Sequence, residues 1–469
     1  MEQTNDRLQP LQMWDVAAIH AAAVQILCQT GMHFNSPTVR ELMHKHGFKS
    51  DGPIVFFTED SIQRALESAG REFTLLARNP DRSVHFDADT CAIGTGRGAV
   101  FMMEPDGTRR SATIEDCINI FKLAHNLDVI RVLGNLVIPG ELRAERLHPF
   151  LMAAQLLYSD KPAIALDHTS IAPLCTAFGI LSRKMKADAE EGLAYAHTTI
   201  NAISPLMLST DQGDNLLCMA EHGIAICISP TPAAGSTGPC TLAGTLTLQH
   251  SEFLGLLVLT QLVRPGLPVF YSTFPASSDM RTMGVAYGSP EARVMEVGAA
   301  QIANSFKLLT RGNIGLTDSQ ISDFQGGAEA MFNVTSAVRA KINYLPGCGH
   351  LASFAAASCE KLILDAELAN YVLRYCEPIP VNAETLAVNV IQSVGPRGNF
   401  ITQRHTFDHF RTEFYHPTVF SRQTYEKWAK ERQTAALAAR EAVGRILARY
   451  APPPTEASLE RYLGDLIKG

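Results

Sequence analysis

The stretch LVRPGLPVFYSTFPASSDM, residues 262–280, decides the fold. An apolar run of helical period, Leu242–Val263, ends at Pro265-Gly266, and a β-rich run, Val269–Thr273, follows at once. Proline and glycine beyond the last turn stop a helix, because one lacks an N–H and the other tolerates the closing backbone turn. Val, Phe and Tyr suit a pleated strand. A loop of small residues then leads to Ser289-Pro290-Glu291. Serine as N-cap, proline in the first turn and an acid near the positive end of the dipole open the next helix. Helix, strand, loop and helix in this order make the repeating unit of a parallel sheet.

Working outward, the same alternation gives eight candidate strands: Val129–Leu133, Ala163–Asp167, Thr198–Ser204, Ile224–Ser229, Val269–Thr273, Lys307–Thr310, Ile342–Leu345 and Ile379–Val381. Eight βα units favour a closed barrel, so the expected class is α/β, a (β/α)8 TIM barrel. Ser358 is placed to cap a helix over Cys359–Tyr375, where Leu362, Ala366, Ala369 and Leu373 share a face. Residues 1–125 read as an N-terminal cap, with helices near Val16–Thr30 and Ile62–Ser68 and a hairpin over Cys91–Arg110 that turns at Asp106-Gly107. Residues 126–420 read as the catalytic barrel. Residues 421–469 read as a helical tail, a long helix over Tyr425–Tyr450 stopped by Pro452-Pro453-Pro454.

Composition narrows the function. Hydrophobic residues make up 46% of 469, enough for a large core. The net charge is -7 without a basic block, which argues against nucleic acid. No apolar run reaches the ~20 residues of a membrane span. The opening MEQTNDRLQP lacks the charged-then-apolar pattern of a secretion signal, so the expected location is cytoplasmic. The ten cysteines are scattered, with no CxxC pair, and read as reduced core residues. Cys348-x-His350 is a lone pair of metal-ligand types, and no bound metal is expected.

Barrel chemistry sits in the loops after the strands. Four such loops are rich in Gly and small residues: Pro230–Cys240, Phe274–Met280, Arg311–Gln325 and Pro346–His350. They could be tight turns, or places where a bulky planar partner approaches the backbone. No GxSxG, HExxH or P-loop is present, and Gly94-Thr-Gly96-Arg-Gly98 falls in the expected hairpin rather than in a Rossmann turn. The loops do carry aromatics and acids: Tyr271, Phe274, Phe324, Tyr344, Phe354, Asp279, Asp318 and Asp323. Aromatic faces attract quaternary ammonium groups.

These loops resemble the trimethylamine methyltransferase family of corrinoid-dependent enzymes. The resembling stretches are Gly238–Gly244, Gln261–Gly266, Asp279-Met280, Gly288–Glu291, Gly315–Ser319, Asp323–Gln325, Ser358–Asp365, Val394–Pro396 and His405–Arg411, in order from about residue 90 to 430. The resemblance implies a barrel that moves a methyl group from a methylated amine to the cobalt of a corrinoid held by a separate small protein. Family members that use trimethylamine carry pyrrolysine. This chain has ordinary residues throughout and is similar to the non-pyrrolysine branch, whose donors are betaines such as glycine betaine. Gln320 stands where much of the family is expected to have Lys. A corrinoid-binding DxHxxG is missing, since Asp167-His168 is followed by Thr169, Ser170 and Ile171.

A quaternary ammonium is already an activated leaving group, so the protein's task is positioning and desolvation. Tyr271, Phe274, Phe324 and Phe354 are expected to form a cage for it. His350, His168 and Arg97 are expected to hold a substrate carboxylate, for which Arg has the matching fork. Asp318, Asp323 and Gln325 are expected to orient the ammonium or to line the corrinoid entrance. The plainer readings are N-caps for Asp318 and Asp323, a surface residue for Arg97, a satisfied core histidine for His350, and structural bonding for His405 and His409. Two other functions compete: a zinc-activated barrel methyltransferase and a non-catalytic betaine binder. A homo-oligomer is the default expectation for the long tail.

Overall fold

The protein, in a computed structural model, is described over residues 9–468. Seven strands form one parallel sheet: β1 Ala92–Thr95, β2 Ile130–Val132, β3 His197–Ile200, β4 Ala225–Ile228, β5 Val269–Ser272, β6 Leu309–Arg311 and β7 Tyr344–Cys348. Their spatial order is β3-β4-β5-β6-β7-β1-β2, and every neighbouring pair is parallel. The sheet is curled. At its two edges the segment 162–165 bonds to both sides: Leu133 N–H donates to the Pro162 carbonyl at 2.9 Å, and Ala165 N–H donates to the His197 carbonyl at 2.8 Å. Ile164 pairs with His197 in a parallel bridge.

Helices α1 Ile114–Asn126, α2 Ala144–Tyr158, α3 Thr210–Glu221, α4 Leu242–Val263, α5 Pro290–Ser305, α6 Phe324–Arg339 and α7 Cys359–Cys376 follow the strands. Their starts obey the local chemistry. Ser289 accepts from Ala292 N–H at the head of α5, and Ser358 accepts from Lys361 N–H at the head of α7. The strands are almost wholly buried, as a sheet covered on both faces requires.

Two strand expectations need correction. Ala92-Ile-Gly-Thr95, expected in the hairpin, is β1 of the parallel sheet. Alanine and glycine are poor strand formers and gave no alternation. The position is fixed by packing: a Cβ on Gly94 would lie 3.0 Å from the Tyr344 ring of β7. The hairpin is the shorter pair Phe101–Met103 and Arg109–Ser111. Ile379–Val381 is not a strand. Pro380 supplies no N–H, and Ile379 and Val381 are exposed.

The space inside the curl is filled by Ala92, Val132, Ala225, Cys227, Phe270, Leu309 and Tyr344, joined by Phe73, Leu75, Val84 and Phe86 from the N-terminal region. The Phe86 ring lies 5.0 Å from Phe270 and 6.1 Å from Tyr344. Ala92, Ala225 and Tyr344 are the first residues of their strands, so this plug seals the amino ends. The carboxyl ends lie opposite the plug, and the loops after the strands gather there as the mouth.

Helix α4 has 22 residues and is long and apolar enough to cross a membrane, which the sequence reading missed. Its window of high hydropathy is 72% buried inside the protein, against the sheet and the N-terminal helix Met13–Gln29. The tail is two helices, Tyr425–Glu431 and Ala435–Arg449, broken where Arg432 adopts φ 50°. A further helix, Ala457–Lys468, packs Leu459 and Leu463 into the core.

Candidate active site

Burial without partners marks the mouth. Arg97 follows β1, and its Nη1 is buried with no hydrogen-bond partner. Arg311, the last residue of β6, is buried and stands over the Phe274 ring, its guanidinium carbon 5.6 Å from the ring centre. Burial and the nearby positive charge of Arg311 pull the Arg97 pKa down to about 10. Glu296 of α5 also feels Arg311, but its carboxylate is already taken by Arg293, Asn313 N–H and the Asn333 amide. Arg311 is thus buried beside a half-buried Arg97 whose Nη1 is sealed off, and among the described residues no acid is ion-paired with either. Asn135 after β2 and Asn313 after β6 are buried, and neither end of either amide has a partner. Buried polar groups are normally satisfied, so a group of orphans at one end of a sheet points to a polar ligand, anionic beside the arginines.

His197 and Tyr344 lie close below. The Tyr344 hydroxyl is 3.4 Å from His197 Nε2, and burial with both arginines holds the His197 pKa down at about 3. The imidazole is therefore neutral and adds no charge to the arginine pair.

Beside Arg311 stands an aromatic trio. Phe274 stacks on Tyr287 at 4.9 Å, and Phe354 meets Phe274 at 5.2 Å and Tyr287 at 4.8 Å, edge to face. These rings touch, so they present a wall rather than an empty cage. Phe354 ends a run of three left-handed residues, Ala352, Ser353 and Phe354, with φ of 51°, 51° and 74°. Such conformations cost about 1–3 kcal/mol each and persist where the surroundings over-determine them. The restraints are Ala352 N–H to the Ser319 carbonyl at 2.8 Å and Ser353 N–H to the Thr317 carbonyl at 3.0 Å.

The other expected site residues divide. His350 is fully buried beneath the mouth, and its Nε2 accepts from Arg97 N–H at 2.9 Å. That bond places the ring proton on Nδ1, and burial drives the pKa to about 3. His350 therefore shapes the Arg97 loop and is not charged near neutrality. A Cβ on Gly96 would lie 2.2 Å from the His350 ring, so glycine is required there. Asp318 accepts from Tyr287 and Gly288 N–H groups and from the Ser353 hydroxyl, behind the wall.

Five expected residues are not brought to the mouth. Tyr271 is buried between sheet and α4, 4.2 Å from the Phe253 ring, with its hydroxyl 3.2 Å from His250. Phe324 is 91% exposed on the first turn of α6. Asp323 caps that helix through Gly326 N–H and accepts from Ser319. Gln325 is exposed and bonds Glu329 one turn on. His168 is exposed in the short 3-10 helix His168–Ser170, while Asp167 is engaged by His148 at 2.7 Å and by Thr169.

Helix α7 supports the loops from beneath. Lys361 donates to the Gly315 carbonyl at 2.6 Å and pairs with Asp365, which accepts from Gly349 N–H at 2.8 Å. The stretch Ser358–Asp365 thus joins the loops after β6 and β7. Cys348 is buried in the apolar core, and the Nε2 lone pair of His350 is occupied, so this pair is not a ready metal donor set. Among the described residues no group of three or more His, Cys, Asp or Glu side chains stands together as metal ligands.

The fold is that of a parallel α/β protein, and its candidate site is the group of unpartnered polar residues at the carboxyl ends of the strands. The chain belongs to the trimethylamine methyltransferase family: the family described as "Trimethylamine methyltransferase (MTTB)" matches residues 1–468. A glycine betaine methyltransferase of Desulfitobacterium hafniense (strain Y51) is 34% identical over 462 residues, covering 96% of this chain and 95% of that protein. An L-carnitine:corrinoid methyltransferase of Eubacterium limosum is 26% identical, covering 89% of this chain and 88% of that protein. The crystal structure of the Methanosarcina barkeri monomethylamine methyltransferase (MtmB) shares the fold at TM-score 0.51 and 13% identity, over 94% of this chain and 90% of that one.

Arg311, Asn135, Asn313, His197 and Tyr287 escaped the sequence reading. Arg311 had a signal, a lone charge closing a strand of Leu and Thr. Tyr287 had none.

Proposed function

We propose that this protein takes a methyl group from a short betaine, of the length of glycine betaine, and passes it to the corrinoid of a separate protein. The observation that carries the reading is a pair of neighbouring arginines beside an aromatic wall: Arg97, whose Nη1 is buried without a partner, and the buried Arg311 over the Phe274 ring. A betaine has one group for each: a carboxylate for the guanidiniums and a quaternary ammonium for the ring faces. Arg311 lies against Phe274 itself, so anion and cation sites adjoin, which suits one carbon between the two charges. The reduced corrinoid cobalt, when its carrier docks, supplies the nucleophile that accepts the methyl group. The residues of this chain bind the carboxylate, hold the ammonium against the wall and shed its water. Asp167-His168 does not fit a corrinoid-holding loop, because Asp167 is spent on His148 and Thr169. The corrinoid therefore belongs to a partner. The family relationship supports the reaction class; the mouth supports the carboxylated donor.

The segment 163–165 is read as the eighth stave that closes the sheet into a barrel, with the N-terminal region as the plug of its amino end. The barrel then starts at Ala92, and the cap is shorter than 125 residues.

The test is anaerobic absorbance of a cobalt(I) corrinoid carrier mixed with this protein and glycine betaine, choline or trimethylamine. Conversion to methyl-cobalt(III) with glycine betaine, and none with the two donors lacking a carboxylate, is expected. Equal conversion with choline would refute the carboxylate site. Betaine binding without conversion, on a carrier known to be active, would leave a binding protein.

A further inference from the structure

Every side-chain hydrogen bond of Asp318 goes to the aromatic wall's supports. Its Oδ1 accepts from Tyr287 N–H at 2.9 Å and from the Ser353 hydroxyl at 2.6 Å, and its Oδ2 accepts from Gly288 N–H at 2.9 Å. Tyr287 and Phe354 come from loops far apart in sequence, one before α5 and one after β7. Their rings meet at 4.8 Å, and the backbone on both sides of that contact is tied to this one carboxylate. The Tyr287 carbonyl is held in turn by Arg293 at 3.1 Å, so its residue is gripped at both ends by charged groups. Asp318 is itself fixed by Glu329, which accepts from Asp318 N–H at 2.8 Å and leaves no room for a Cβ at Gly288.

We propose that Asp318 is the positioning residue of the ammonium site: its single carboxylate locks the Tyr287 and Phe354 loops together and so fixes the wall on which a quaternary ammonium rests. The inference rests on the betaine reading above. Asp318 touches no reacting atom. Three donors converge on it, two of them backbone, and a carboxylate has the lone pairs to satisfy all three. An asparagine turns one of those acceptors into a donor facing another donor. Asp318→Asn therefore releases one loop while keeping the volume.

The experiment is steady-state methyl transfer from glycine betaine by the full chain, with calorimetric binding of glycine betaine and amide exchange at residues 286–289 and 352–355. For Asp318→Asn the expected KM and Kd rise at least tenfold, kcat stays within threefold, and exchange of the Tyr287 and Gly288 amides quickens. Ser353→Ala, which removes one of the three contacts, is expected to raise KM about threefold, and its milder change keeps the test alive should Asp318→Asn fold poorly. An unchanged KM in both variants overturns the proposal. So does a lower kcat at unchanged KM, the mark of a smaller folded fraction. If the wild-type chain binds glycine betaine and the variants match it, the clamp alone fails. If the wild-type chain binds no quaternary amine, the betaine reading fails and takes the clamp with it.

Discussion

Replacing Arg311 with methionine keeps an unbranched stem in the mouth and removes the charge. In the free protein Arg311 contributes little to stability. Its attractive interactions are the Phe274 ring at 5.6 Å, worth about 1 kcal/mol, and a charge attraction to Glu296, whose carboxylate is already bonded to Arg293, Asn313 N–H and Asn333. Against that stands repulsion from Arg97, whose pKa is depressed by burial first and by the Arg311 charge second. The stability of the free chain should therefore stay within about 1 kcal/mol of wild type. Binding is different. Truncating one partner of a buried, hydrogen-bonded charge pair costs about 2–5 kcal/mol. With Arg97 still present, about 3 kcal/mol is expected, roughly a hundredfold in Kd at ~1.4 kcal/mol per factor of ten. Calorimetry of glycine betaine binding and a urea melt of the same sample separate the two quantities. A variant that binds within threefold of wild type would refute the anion site. A variant whose stability falls as far as its binding would show that Arg311 is a structural residue after all.

Three further predictions concern the scaffold. Phe354 sits at φ 74°, so Phe354→Gly should be more stable than Phe354→Ala by about 1 kcal/mol although both lose the ring, and both should raise KM; thermal melts and kinetics check this. Lys361→Met strands Asp365 and the Gly315 carbonyl beneath the mouth loops, and a urea melt should show a loss of about 3–5 kcal/mol. Acidification should destabilise the fold. His197, His250 and His350 all have pKa values held down at about 3 by burial, so between the unfolded value of ~6.5 and 3 the unfolded chain binds more protons. Stability then falls by about 1.4 kcal/mol per pH unit for each. Glu252 runs the other way: burial raises it to about 7, so its carboxyl favours the fold at low pH and loses that preference as pH rises from ~4.5 through 7. Urea melts at pH 5, 6.5 and 8 of wild type, His250→Gln and Glu252→Gln should show the acid slope reduced in the first variant and the alkaline loss removed in the second.

The orphan polar groups at the mouth carry a cost in the free chain. The Asn135 and Asn313 amides and Nη1 of Arg97 lose water on folding and find no hydrogen-bond partner within the described residues. Their cost is spread over a large, closely packed core in which strands, plug and helices α4 and α7 are buried. Groups left unsatisfied in the free protein are already in place when a ligand arrives, so less binding energy is lost to reorganisation. The left-handed run at 352–354 belongs to the same arrangement, since its strain sets Phe354 against Phe274 and Tyr287.

Local chemistry in the sequence determined the parallel βα alternation, the caps at Ser289 and Ser358, the loop clusters after the strands and, through the family's motifs, the reaction class. These are short-range signals: period, capping and turn chemistry act over a few residues. The structure alone decided what those residues face. Ala92–Thr95 became a strand because a slot between β7 and β2 accepts a glycine, not because its residues favour extension. Tyr271 alternates onto the α4 side and leaves the site, and Phe324 points into solvent from a helix end. Tyr287 enters from a loop without any pattern, held by Asp318 from a different loop. Whether an arginine at a strand end is paired or free is likewise a fact of three dimensions, because its possible partners lie on other strands. A site built from the ends of several strands is assembled by sheet register and burial, and neither is written at the positions that compose it.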